Sequence, residues 1–409
     1  MRGKVRLETL GRPVLVLDAV RTPVGRYRGI LSHIRPDDLA ATVIKKLIDR
    51  NPDLVGLGVD DVVFGAANQA GEDNRNVARM AALLAGLGVE TPGVTVNRLC
   101  GSSLEALLSG YRQIALGEAE CVIVGGVESM SRAPFVIARP DSALPRSLDL
   151  VDTTIGWRLV NAQMPKEWTI SLGATAENVA EMFAISREAQ DRFAFESHRR
   201  AIQALDDGVF TAEIAPVLAR SGGEIFLDEG PRRETTLGAL GALAPVFRKG
   251  GSVTAGNSSP LNDGAAALVL VSESFAKRLE RSPLARVLGG AVAGITPDLM
   301  GLGPVPSTER LLERLSIGLD DFGAIEINEA FAAQVIGVAQ KLALDIGDPR
   351  LNGLGGALAI GHPLGASGAR IATTLLYRMH REDVGLGFAT MCIGVGQGIS
   401  VAFERSENL

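Results

Sequence analysis

Cys100 is the side chain whose type and neighbours best suit covalent chemistry. It lies in the segment N-R-L-C-G-S-S, between an apolar strand pattern at Val94–Val96 and a helical pattern that starts near Ser103. At such a strand-to-helix turn, free backbone amides and the positive end of the helix dipole lower the pKa of a thiol and raise its nucleophilicity. The alternative is a buried structural cysteine, which is the commoner role of a free thiol. The segment alone leaves both interpretations open.

His362 lies in a glycine-rich segment, N-G-L-G-G-A-L-A-I-G-H-P-L-G-A-S-G-A-R, that starts at Asn352. Glycine allows the backbone to come close to a ligand, and Pro363 stiffens the turn that presents the imidazole. The segment therefore makes His362 a better candidate for a general base than the other histidines, whose neighbours are ordinary polar or charged residues: His33, His198 and His380. The alternative is a glycine-rich turn in which His362 only caps a neighbouring segment.

Two more polar positions follow apolar strand patterns. Cys392, in M-C-I-G-V-G-Q-G-I-S, lies where a strand gives way to a turn, and it could equally be a small buried hydrophobe. Asn328 follows the strand pattern Ala324–Ile327 and precedes a helical pattern. It is either a helix N-cap, which the segment by itself favours, or a polar group directed into a site.

Composition excludes several classes of protein. The 409 residues are 46% hydrophobic and 22% charged, which is typical of a globular chain with more than one core. Lys and Arg number 41 against 47 acids, and no long basic run occurs, so binding to nucleic acid or to an anionic membrane surface is not expected. Three cysteines without metal-ligand spacing predict neither a disulfide framework nor a metal site. The early apolar stretch at residues 13–20 is too short for a membrane span, so we expect a cytoplasmic protein.

Short apolar runs alternate with amphipathic helical patterns, which predicts an α/β fold. The runs that read as buried strands are Val14–Leu17, Val62–Ala66, Cys121–Val124 and Ala265–Val271. The helical patterns include Asp38–Ile48, Ser103–Leu116 and a charged amphipathic stretch near Arg187–Leu205. The similar segments G-V-D-D-V-V-F-G-A-A at Gly58 and G-L-D-D-F-G-A-I-E-I at Gly318 hint at a duplicated architecture. The proline-rich stretch from about 131 to 261 predicts an inserted segment that covers a site.

Together these segments resemble the thiolase family over nearly the whole chain. Besides the segments around Cys100, His362 and Cys392, the resemblance includes D-A-V-R-T-P-V-G at Asp18, V-G-G-V-E-S-M-S-R at Val124, T-A-G-N-S-S at Thr254, M-G-L-G-P-V-P at Met300 and N-E-A-F-A-A-Q at Asn328. The resemblance implies two similar halves with five-stranded mixed sheets and helices in layers. The N-terminal half would be residues 1–130 completed by 262–281, and the C-terminal half would be 282–409. A loop domain, 131–261, would cover the coenzyme A cleft.

The resemblance also implies a ping-pong mechanism with a covalent acyl-enzyme. Cys100 matches the nucleophile that attacks the ketone of a 3-oxoacyl-CoA, and Cys392 matches the group that protonates the acetyl-CoA enolate. His362 matches the residue that activates the nucleophile and the incoming coenzyme A thiol. Two oxyanion sites are implied: His362 with a water held by Asn328, and the amides of Cys100 and Gly394. Coenzyme A is then a co-substrate, and no metal or permanently bound cofactor is expected.

The resemblance carries over less firmly onto the residues that would contact substrate. Arg232 would lie near the adenine and phosphates of coenzyme A, and Ser259 near its pantetheine arm. The acyl cleft would be lined by Met300, Ala330 and Phe331, which could also be core side chains. Two positions depart from the pattern of many members, which have glycine at the places of Ser103 and Pro260. Pro260 could change the lip of the pantetheine channel.

The acyl chain is ambiguous in the sequence. Residues 152–161 resemble thiolases that cleave 3-oxoadipyl-CoA, whereas the segment around Cys392 resembles thiolases of fatty-acid oxidation. An acidic acyl tail would need a cation in the loop domain, for which Arg158, Lys166 and Arg139 are candidates that could equally be solvated surface.

Our leading hypothesis is an acetyl-CoA C-acyltransferase that acts in thiolytic degradation such as β-oxidation. The alternatives within the family are a 3-oxoadipyl-CoA thiolase of aromatic catabolism and a biosynthetic acetoacetyl-CoA thiolase. A catalytically silent acyl-CoA-binding protein would have no need of a nucleophile and two acid/base groups, and a cysteine hydrolase would leave Cys392 unexplained. We expect a homodimer or homotetramer with the N-terminal halves in contact, and a hydratase-dehydrogenase partner is an open alternative.

Overall fold

Strands and helices alternate through the computed structural model, which describes residues 11–279 and 281–406. Residues 1–10 and 280 of the predicted N-terminal half, and 407–409 of the predicted C-terminal half, lie outside the described residues. The strands are β1 Val14–Arg21, β2 Gly25–Arg26, β3 Asp61–Gly65, β4 Gly93–Val96, β5 Cys121–Ser129, β6 Phe135–Ile137, β7 Leu150–Asp152, β8 Val217–Leu218, β9 Glu224–Ile225, β10 Asn262–Ser272, β11 Ala285–Gly294, β12 Ala324–Ile327, β13 Leu386–Ile393 and β14 Gln397–Arg405. The helices are α1 Pro36–Arg50, α2 Asp53–Leu57, α3 Val77–Leu84, α4 Ser102–Leu116, α5 Leu172–Met182, α6 Arg187–Asp206, α7 Leu237–Gly241, α8 Glu273–Arg278, α9 Pro304–Leu315, α10 Ala332–Lys341 and α11 Ser367–Arg381.

The main sheet of the described residues has ten strands and combines two parts of the chain. Its order is β12-β13-β14-β11-β1-β10-β5-β3-β4, with β2 paired to β10. Strands β1 to β5 and β10 come from the N-terminal part, and β11 to β14 come from the C-terminal part. The two parts meet where β1 pairs with β11, through Leu15 with Arg286 and Val16 with Ala285.

The two parts of this sheet repeat one pairing pattern. The pairs β3–β5 and β12–β13 are parallel, and each is followed by two antiparallel pairs, β5–β10–β1 in one part and β13–β14–β11 in the other. In the C-terminal part, a parallel bridge between Ile325 and Leu351 stands at the place of β4. The similar sequence segments at Gly58 and Gly318 precede β3 and β12, which are equivalent strands. The predicted duplicated α/β fold is therefore confirmed.

Helices α4 and α11 form a layer between the two parts of the sheet. Leucines at 104, 107 and 108 of α4 and at 375 and 376 of α11 share one buried cluster with strand residues from both parts. Their spacing follows the 3.6-residue period of the helix, which places them on faces that pack against the sheets. Burying each such leucine stabilises the fold by about 1.5–3 kcal/mol. Ser103 accepts a hydrogen bond from the Ala369 amide (2.9 Å) and so joins α4 to α11.

Residues 131–261 contribute no strand to the ten-stranded sheet in the described part of the chain. Their strands form two separate pairs, β6–β7 and β8–β9, and the amphipathic stretch predicted near Arg187 is α6. A fully buried Arg21 on β1 forms ion pairs with Glu213 and Asp228 and fixes this segment to the sheet. The division into two halves and a loop domain, with its exact boundaries, stays a prediction. No helix within the described ranges is both long and apolar enough to cross a membrane.

Candidate active site

A cavity of about 560 Å³ brings most of the predicted site residues together. Its wall includes Cys100, His362, Cys392, Gly394, Ser259, Met300, Ala330 and Phe331. Asn328 lies behind His362, with its amide nitrogen 3.5 Å from each ring nitrogen. We call Cys100, His362, Cys392, Asn328 and Gly394 the catalytic floor. The floor combines side chains that are far apart in sequence because the equivalent turns of the two repeated parts converge at this point.

The turn that carries Cys100 has a strained backbone and is held by side-chain hydrogen bonds. Leu99 has a positive φ of 48°, an uncommon conformation for a residue with a branched side chain. The Ser102 hydroxyl accepts from the Arg98 amide and donates to the Leu99 carbonyl, which holds the turn at the start of α4. A Cβ atom on Gly101 would lie 2.5 Å from Ile393, so glycine is needed where this turn packs against β13. The turn therefore presents Cys100 next to the end of the strand that carries Cys392.

The pKa of Cys100 differs from the expectation for a strand-to-helix turn. Burial raises the pKa of the thiol to about 11, although the amides of Gly394 and of Cys100 itself lower it. The expectation that this position lowers the thiol pKa is wrong, because burial raises the pKa by more than the nearby backbone amides lower it. Cys100 is a neutral thiol at rest and needs a base to become a nucleophile.

Cys392 and Gly394 lie at the turn between β13 and β14. Val395 has φ 59°, a real outlier for a β-branched residue, and a Cβ atom on Gly396 would lie 2.1 Å from the Ile295 carbonyl. The strained turn directs the Gly394 amide toward the sulfur of Cys100. Burial, and then the neighbouring Cys100, raise the pKa of the Cys392 thiol. Both sulfurs therefore hold protons and lie close enough to influence each other's charge.

His362 is fixed by backbone and side-chain hydrogen bonds. Its amide donates to Asn262 Oδ1 (2.9 Å), and its Nδ1 lies 2.6 Å from the Ser367 hydroxyl. That hydroxyl donates its single proton to the Pro363 carbonyl, so it accepts from His362 Nδ1. This network assigns the ring proton to Nδ1 and leaves Nε2 free to act as a base.

The environment of His362 favours the neutral imidazole. Burial, and then the positive charge of Arg370, lower the pKa of His362 to about 3. Arg370 is itself buried on α11, and its three side-chain nitrogens have no hydrogen-bond partner among the described residues. The imidazole is therefore neutral at ordinary pH, with one ring nitrogen unprotonated and available as a proton acceptor.

Asn328 does not cap a helix. Helix α10 begins at Ala332 with Phe331 as its N-cap, so the N-cap interpretation of Asn328 is wrong. The chain instead leaves β12 at Asn328 and turns, with the Ala330 amide donating to the Asn328 carbonyl (3.2 Å). The Ser259 backbone amide donates to the Ala330 carbonyl (2.9 Å). The Asn328 side chain is buried, and its Oδ1 accepts no hydrogen bond from the described residues. That oxygen is therefore free to hold a polar group at the floor.

Glu128 is a functional candidate that the sequence analysis missed. It lines the cavity and accepts hydrogen bonds from the amides of Ala67 (2.9 Å), Asn68 (3.1 Å) and Gly365 (2.9 Å). Burial raises the pKa of this carboxyl to about 7, despite those three donors. Glu128 thus ties the loop after β3 to the loop that carries His362. Its place in the V-E-S-M-S segment was the only sequence signal for it.

Residues 153–158, which we call the loop wall, form another part of the cavity lining. Trp157 donates to the Ile170 carbonyl (3.2 Å), and its ring packs against Gly394, where an added Cβ would lie 2.7 Å from it. Arg158, one of three predicted cation candidates, lines the cavity, whereas Lys166 and Arg139 are exposed and do not. The structure therefore separates these three candidates, which the sequence could not.

A second cavity, of about 320 Å³, shares Ser258 and Pro260 with the first. Arg232 lines it, as does Arg26. His198 also lines it and accepts from the Arg232 amide, and burial lowers the pKa of His198 to about 4. The sequence analysis passed over His198 because its charged helical neighbours concealed that it is buried. Two connected cavities, one with cations and one with thiols, suit a long substrate with an anionic end and a reactive end.

The floor has the components of acyl transfer through a thiol. It offers a nucleophile, a neutral base, a second thiol as acid, and amides beside the nucleophile. The described residues contain no group of three or more His, Cys, Asp or Glu side chains suited to a metal ion.

Comparison with known proteins matches this chemistry. The thiolase N-terminal domain model matches residues 14–274, and the thiolase C-terminal domain model matches residues 281–405. The chain is 51% identical over 399 residues to the 3-oxoadipyl-CoA/3-oxo-5,6-dehydrosuberyl-CoA thiolase of Escherichia coli, covering 96% of this chain and 100% of that protein. It is 50% identical over 400 residues to the β-ketoadipyl-CoA thiolase of Pseudomonas aeruginosa, covering 97% and 100%. The crystal structure of human mitochondrial 3-ketoacyl-CoA thiolase in complex with CoA superposes with a TM-score of 0.91 at 37% identity, covering 98% and 100%.

Proposed function

This chain belongs to the thiolase family of CoA-dependent acyltransferases, and we propose that its substrates are 3-oxoacyl-CoA thioesters whose acyl chain ends in a carboxylate. The observation that carries the thiolase chemistry is the catalytic floor, where Cys100, His362 and Cys392 line one cavity. The acidic acyl chain is supported by relatives that are 48–51% identical to this chain and are named for 3-oxoadipyl-CoA or β-ketoadipyl-CoA, whereas a 3-ketoacyl-CoA thiolase is 45% identical. This proposal favours the dicarboxylic alternative over the fatty-acid substrates of β-oxidation.

In the proposed first half-reaction, Nε2 of His362 takes the proton of Cys100. The thiolate attacks the ketone carbon, and the amides of Cys100 and Gly394 stabilise the resulting oxyanion, because they already point at this sulfur. The bond between the ketone carbon and its neighbour then breaks, and the electron pair moves to that neighbour as the enolate of acetyl-CoA. The Cys392 thiol gives it a proton, and acetyl-CoA leaves. His362 then passes the proton that it took from Cys100 to the Cys392 thiolate, so both groups regain their starting states.

In the second half-reaction, a molecule of coenzyme A attacks the acyl-Cys100 thioester. His362 takes the proton of the incoming thiol, Cys100 leaves as a thiolate, and the shortened acyl-CoA departs. The Cys100 thiolate then takes up the proton that His362 holds. With a 3-oxoadipyl group, the products are acetyl-CoA and succinyl-CoA. The roles of Arg232 and Ser259 toward coenzyme A, and of Met300, Ala330 and Phe331 toward the acyl chain, belong to this proposal.

The experiment that tests the function is a substrate panel. Loss of the 3-oxoacyl-CoA enolate absorbance is followed with acetoacetyl-CoA, longer straight-chain substrates and 3-oxoadipyl-CoA, with and without coenzyme A. We expect coenzyme A-dependent cleavage with the highest kcat/KM for 3-oxoadipyl-CoA. Binding without turnover of every substrate would contradict the proposal and favour a silent acyl-CoA-binding protein. Hydrolysis without coenzyme A would instead favour a cysteine hydrolase.

We also propose that two copies associate through their N-terminal parts. Strand β4 forms an edge of the sheet, and Val94 on it is 43% exposed. Nearby helix α3 exposes Met80, Leu83 and Leu84. An unpaired edge beside exposed apolar side chains suits pairing with a second copy. Light scattering should give a dimer or a larger multiple for the wild type and a smaller species for Val94→Asp. The hydratase-dehydrogenase partner and the cytoplasmic location stay predictions.

A further inference from the structure

Arg158 is the one arginine or lysine among the described residues that line the catalytic cavity. It is half-buried, and no carboxylate of the described ranges forms an ion pair with it. Most arginines of this protein that approach the interior are paired: Arg21, Arg98 and Arg378 each lie beside an acid. Arg158 therefore brings a positive charge to a largely apolar cavity without an anionic partner from the protein.

Asn68 holds the Arg158 side chain at the cavity. Its Oδ1 accepts from Arg158 Nη2 (3.3 Å), and its Nδ2 donates to the carbonyl (3.2 Å) and hydroxyl (2.9 Å) of Thr153. Because both Nδ2 contacts are acceptors, the orientation of the amide is fixed. The Asn68 backbone is in turn held by Glu128. Asn68 thus holds Arg158 through Nη2, and the other N–H groups of the guanidinium remain available to bind another group.

The other charged residue of the cavity wall, Glu128, forms no ion pair with Arg158 in the part of the chain that the structure describes, and it is held by backbone amides instead. Both oxygens of Glu128 accept backbone amides, from Ala67 and Gly365 on one oxygen and from Asn68 on the other. The remaining lining is mainly apolar or uncharged, and it includes Leu99, Ile155 and Trp157. A guanidinium in such surroundings forms strong bidentate hydrogen bonds with a carboxylate that binds beside it.

We propose that Arg158 binds the terminal carboxylate of the acyl chain and so selects dicarboxylic 3-oxoacyl-CoA substrates. This inference rests on the proposed thiolase function. Arg158 follows Trp157, whose ring packs against Gly394, and Gly394 lies beside the sulfur of Cys100. In a 3-oxoadipyl group, the carboxylate is three carbon–carbon bonds beyond the ketone carbon that Cys100 attacks. A cation next in sequence to a side chain that contacts Gly394, and lining the same cavity as Cys100, suits such a short reach.

The phosphates of coenzyme A have a separate source of positive charge. Arg26 and Arg232 line the second cavity, beyond Ser258 and Pro260. Arg158 does not line that cavity. The two anionic ends of the substrate would therefore lie in different cavities, with the reacting carbons between them at the catalytic floor.

The test compares Arg158→Gln with the wild type on two substrates. We expect kcat/KM for 3-oxoadipyl-CoA to fall about 10- to 100-fold, mainly through KM, because a charged two-pronged hydrogen bond is lost. With acetoacetyl-CoA, which has no terminal carboxylate, kcat/KM should change less than about 3-fold. Arg158→Lys, which keeps the charge but not the fork geometry, should recover part of the loss. Lys166→Gln, which removes an exposed charge outside the cavity, is the matched control and should leave both substrates unchanged.

Equal losses on both substrates, or an unchanged kcat/KM with 3-oxoadipyl-CoA, would overturn the assignment of Arg158. A binding measurement separates this outcome from failure of the proposed function. In a Cys100→Ala background, calorimetry with adipyl-CoA and hexanoyl-CoA compares acyl groups of equal chain length with and without a carboxylate. We expect tighter binding of adipyl-CoA, and loss of this preference in Cys100→Ala/Arg158→Gln. A preference that persists in the double variant contradicts Arg158, whatever the turnover assays give.

Discussion

The catalytic floor and the loop wall line one cavity, but they are built differently. On the floor, Cys100, His362 and Cys392 are at most 7% exposed and come from turns that end regular strands or precede helices. On the wall, Ile155 is 58% exposed and Arg158 is half-buried, and the segment between β7 and α5 contains no strand of the main sheet. The floor lies on the two repeated parts of the fold, whereas the wall lies in a segment that contributes no strand to the main sheet of the described residues.

This difference separates what the protein does from what it acts on. Proton transfer and nucleophilic attack depend on pKa values and distances that only a dry, rigid site can hold. Recognition of an acyl tail needs one well-placed charge, which an irregular segment can supply without disturbing the core. Changes on the floor should therefore affect every substrate, and changes on the wall should affect only some.

The largest effect is expected from Cys100→Ala. Without the nucleophile, kcat should fall on the order of 10⁴-fold with every substrate, and no acyl adduct should form. Intact-protein mass spectrometry after mixing with acetyl-CoA measures the adduct. Cys121→Ala is the matched control, since Cys121 is buried on β5 away from the cavity and should still allow acylation. A covalent acyl adduct elsewhere on the chain of Cys100→Ala would break the assignment of the floor.

Cys392→Ala should divide the floor into two functions. Acylation of Cys100 should persist, whereas proton exchange at the methyl group of acetyl-CoA should slow by about 10²- to 10⁴-fold, because the acid/base group is gone. Nuclear magnetic resonance in deuterium oxide follows that exchange. Exchange at the wild-type rate would show that another group performs this step.

The pH dependence of alkylation should show how far burial raises the pKa of Cys100. Because burial raises the pKa of Cys100 to about 11, its thiolate fraction should rise about tenfold for each pH unit between pH 7 and 10. The rate of carbamidomethylation at Cys100 by iodoacetamide, measured by peptide mass spectrometry, should rise in parallel. A plateau reached below pH 8 would mean that Cys100 and His362 form an ion pair at rest, contrary to the neutral pair described above.

Glu128→Gln should report on the link between floor and wall. The pKa of Glu128 is raised to about 7, so the folded protein binds this proton more tightly than the unfolded chain does. Its ionisation therefore removes stability as pH rises from about 4.5 to 7, by up to about 3 kcal/mol. Denaturant unfolding should show this decline in the wild type and not in Glu128→Gln. If the free energy of unfolding depended on pH in the same way in both proteins, Glu128 would not titrate in this pH range. Asp61→Asn, a partly buried acid outside the cavity, serves as the control.

Much of the floor could be predicted from sequence because its residues lie in short, distinctive segments. Cys100 sits between a strand pattern and a helix pattern, and His362 sits among glycines, so local sequence already placed both at turns. The strands β1, β3, β5 and β10 were predicted from apolar runs, since strands buried on both faces are apolar throughout. The similar segments at Gly58 and Gly318 did mark equivalent strands.

The errors arose where burial or a distant partner decided the outcome. The thiol pKa of Cys100 was expected to be low from the helix terminus, but it is high because both parts of the sheet exclude water around it. Asn328 resembled an N-cap, yet the helix starts at Ala332 because the intervening residues pair with the loop around Ser259. Glu128 and His198 went unrecognised because nothing local shows that they are buried beside the two cavities.

By itself, the sequence predicted the α/β class and the repeated architecture from periodicity and from two similar segments. Its resemblance to the thiolase family predicted the thiolase chemistry and the residues that are proposed to perform it. Only the tertiary structure decided that burial raises the pKa of Cys100, that His362 Nδ1 lies 2.6 Å from the Ser367 hydroxyl, and that Arg158 rather than Lys166 or Arg139 lines the cavity. The physical reason is that desolvation, charge and hydrogen-bond geometry depend on which distant segments meet. Here, strands from both repeated parts and an inserted loop meet around one cavity.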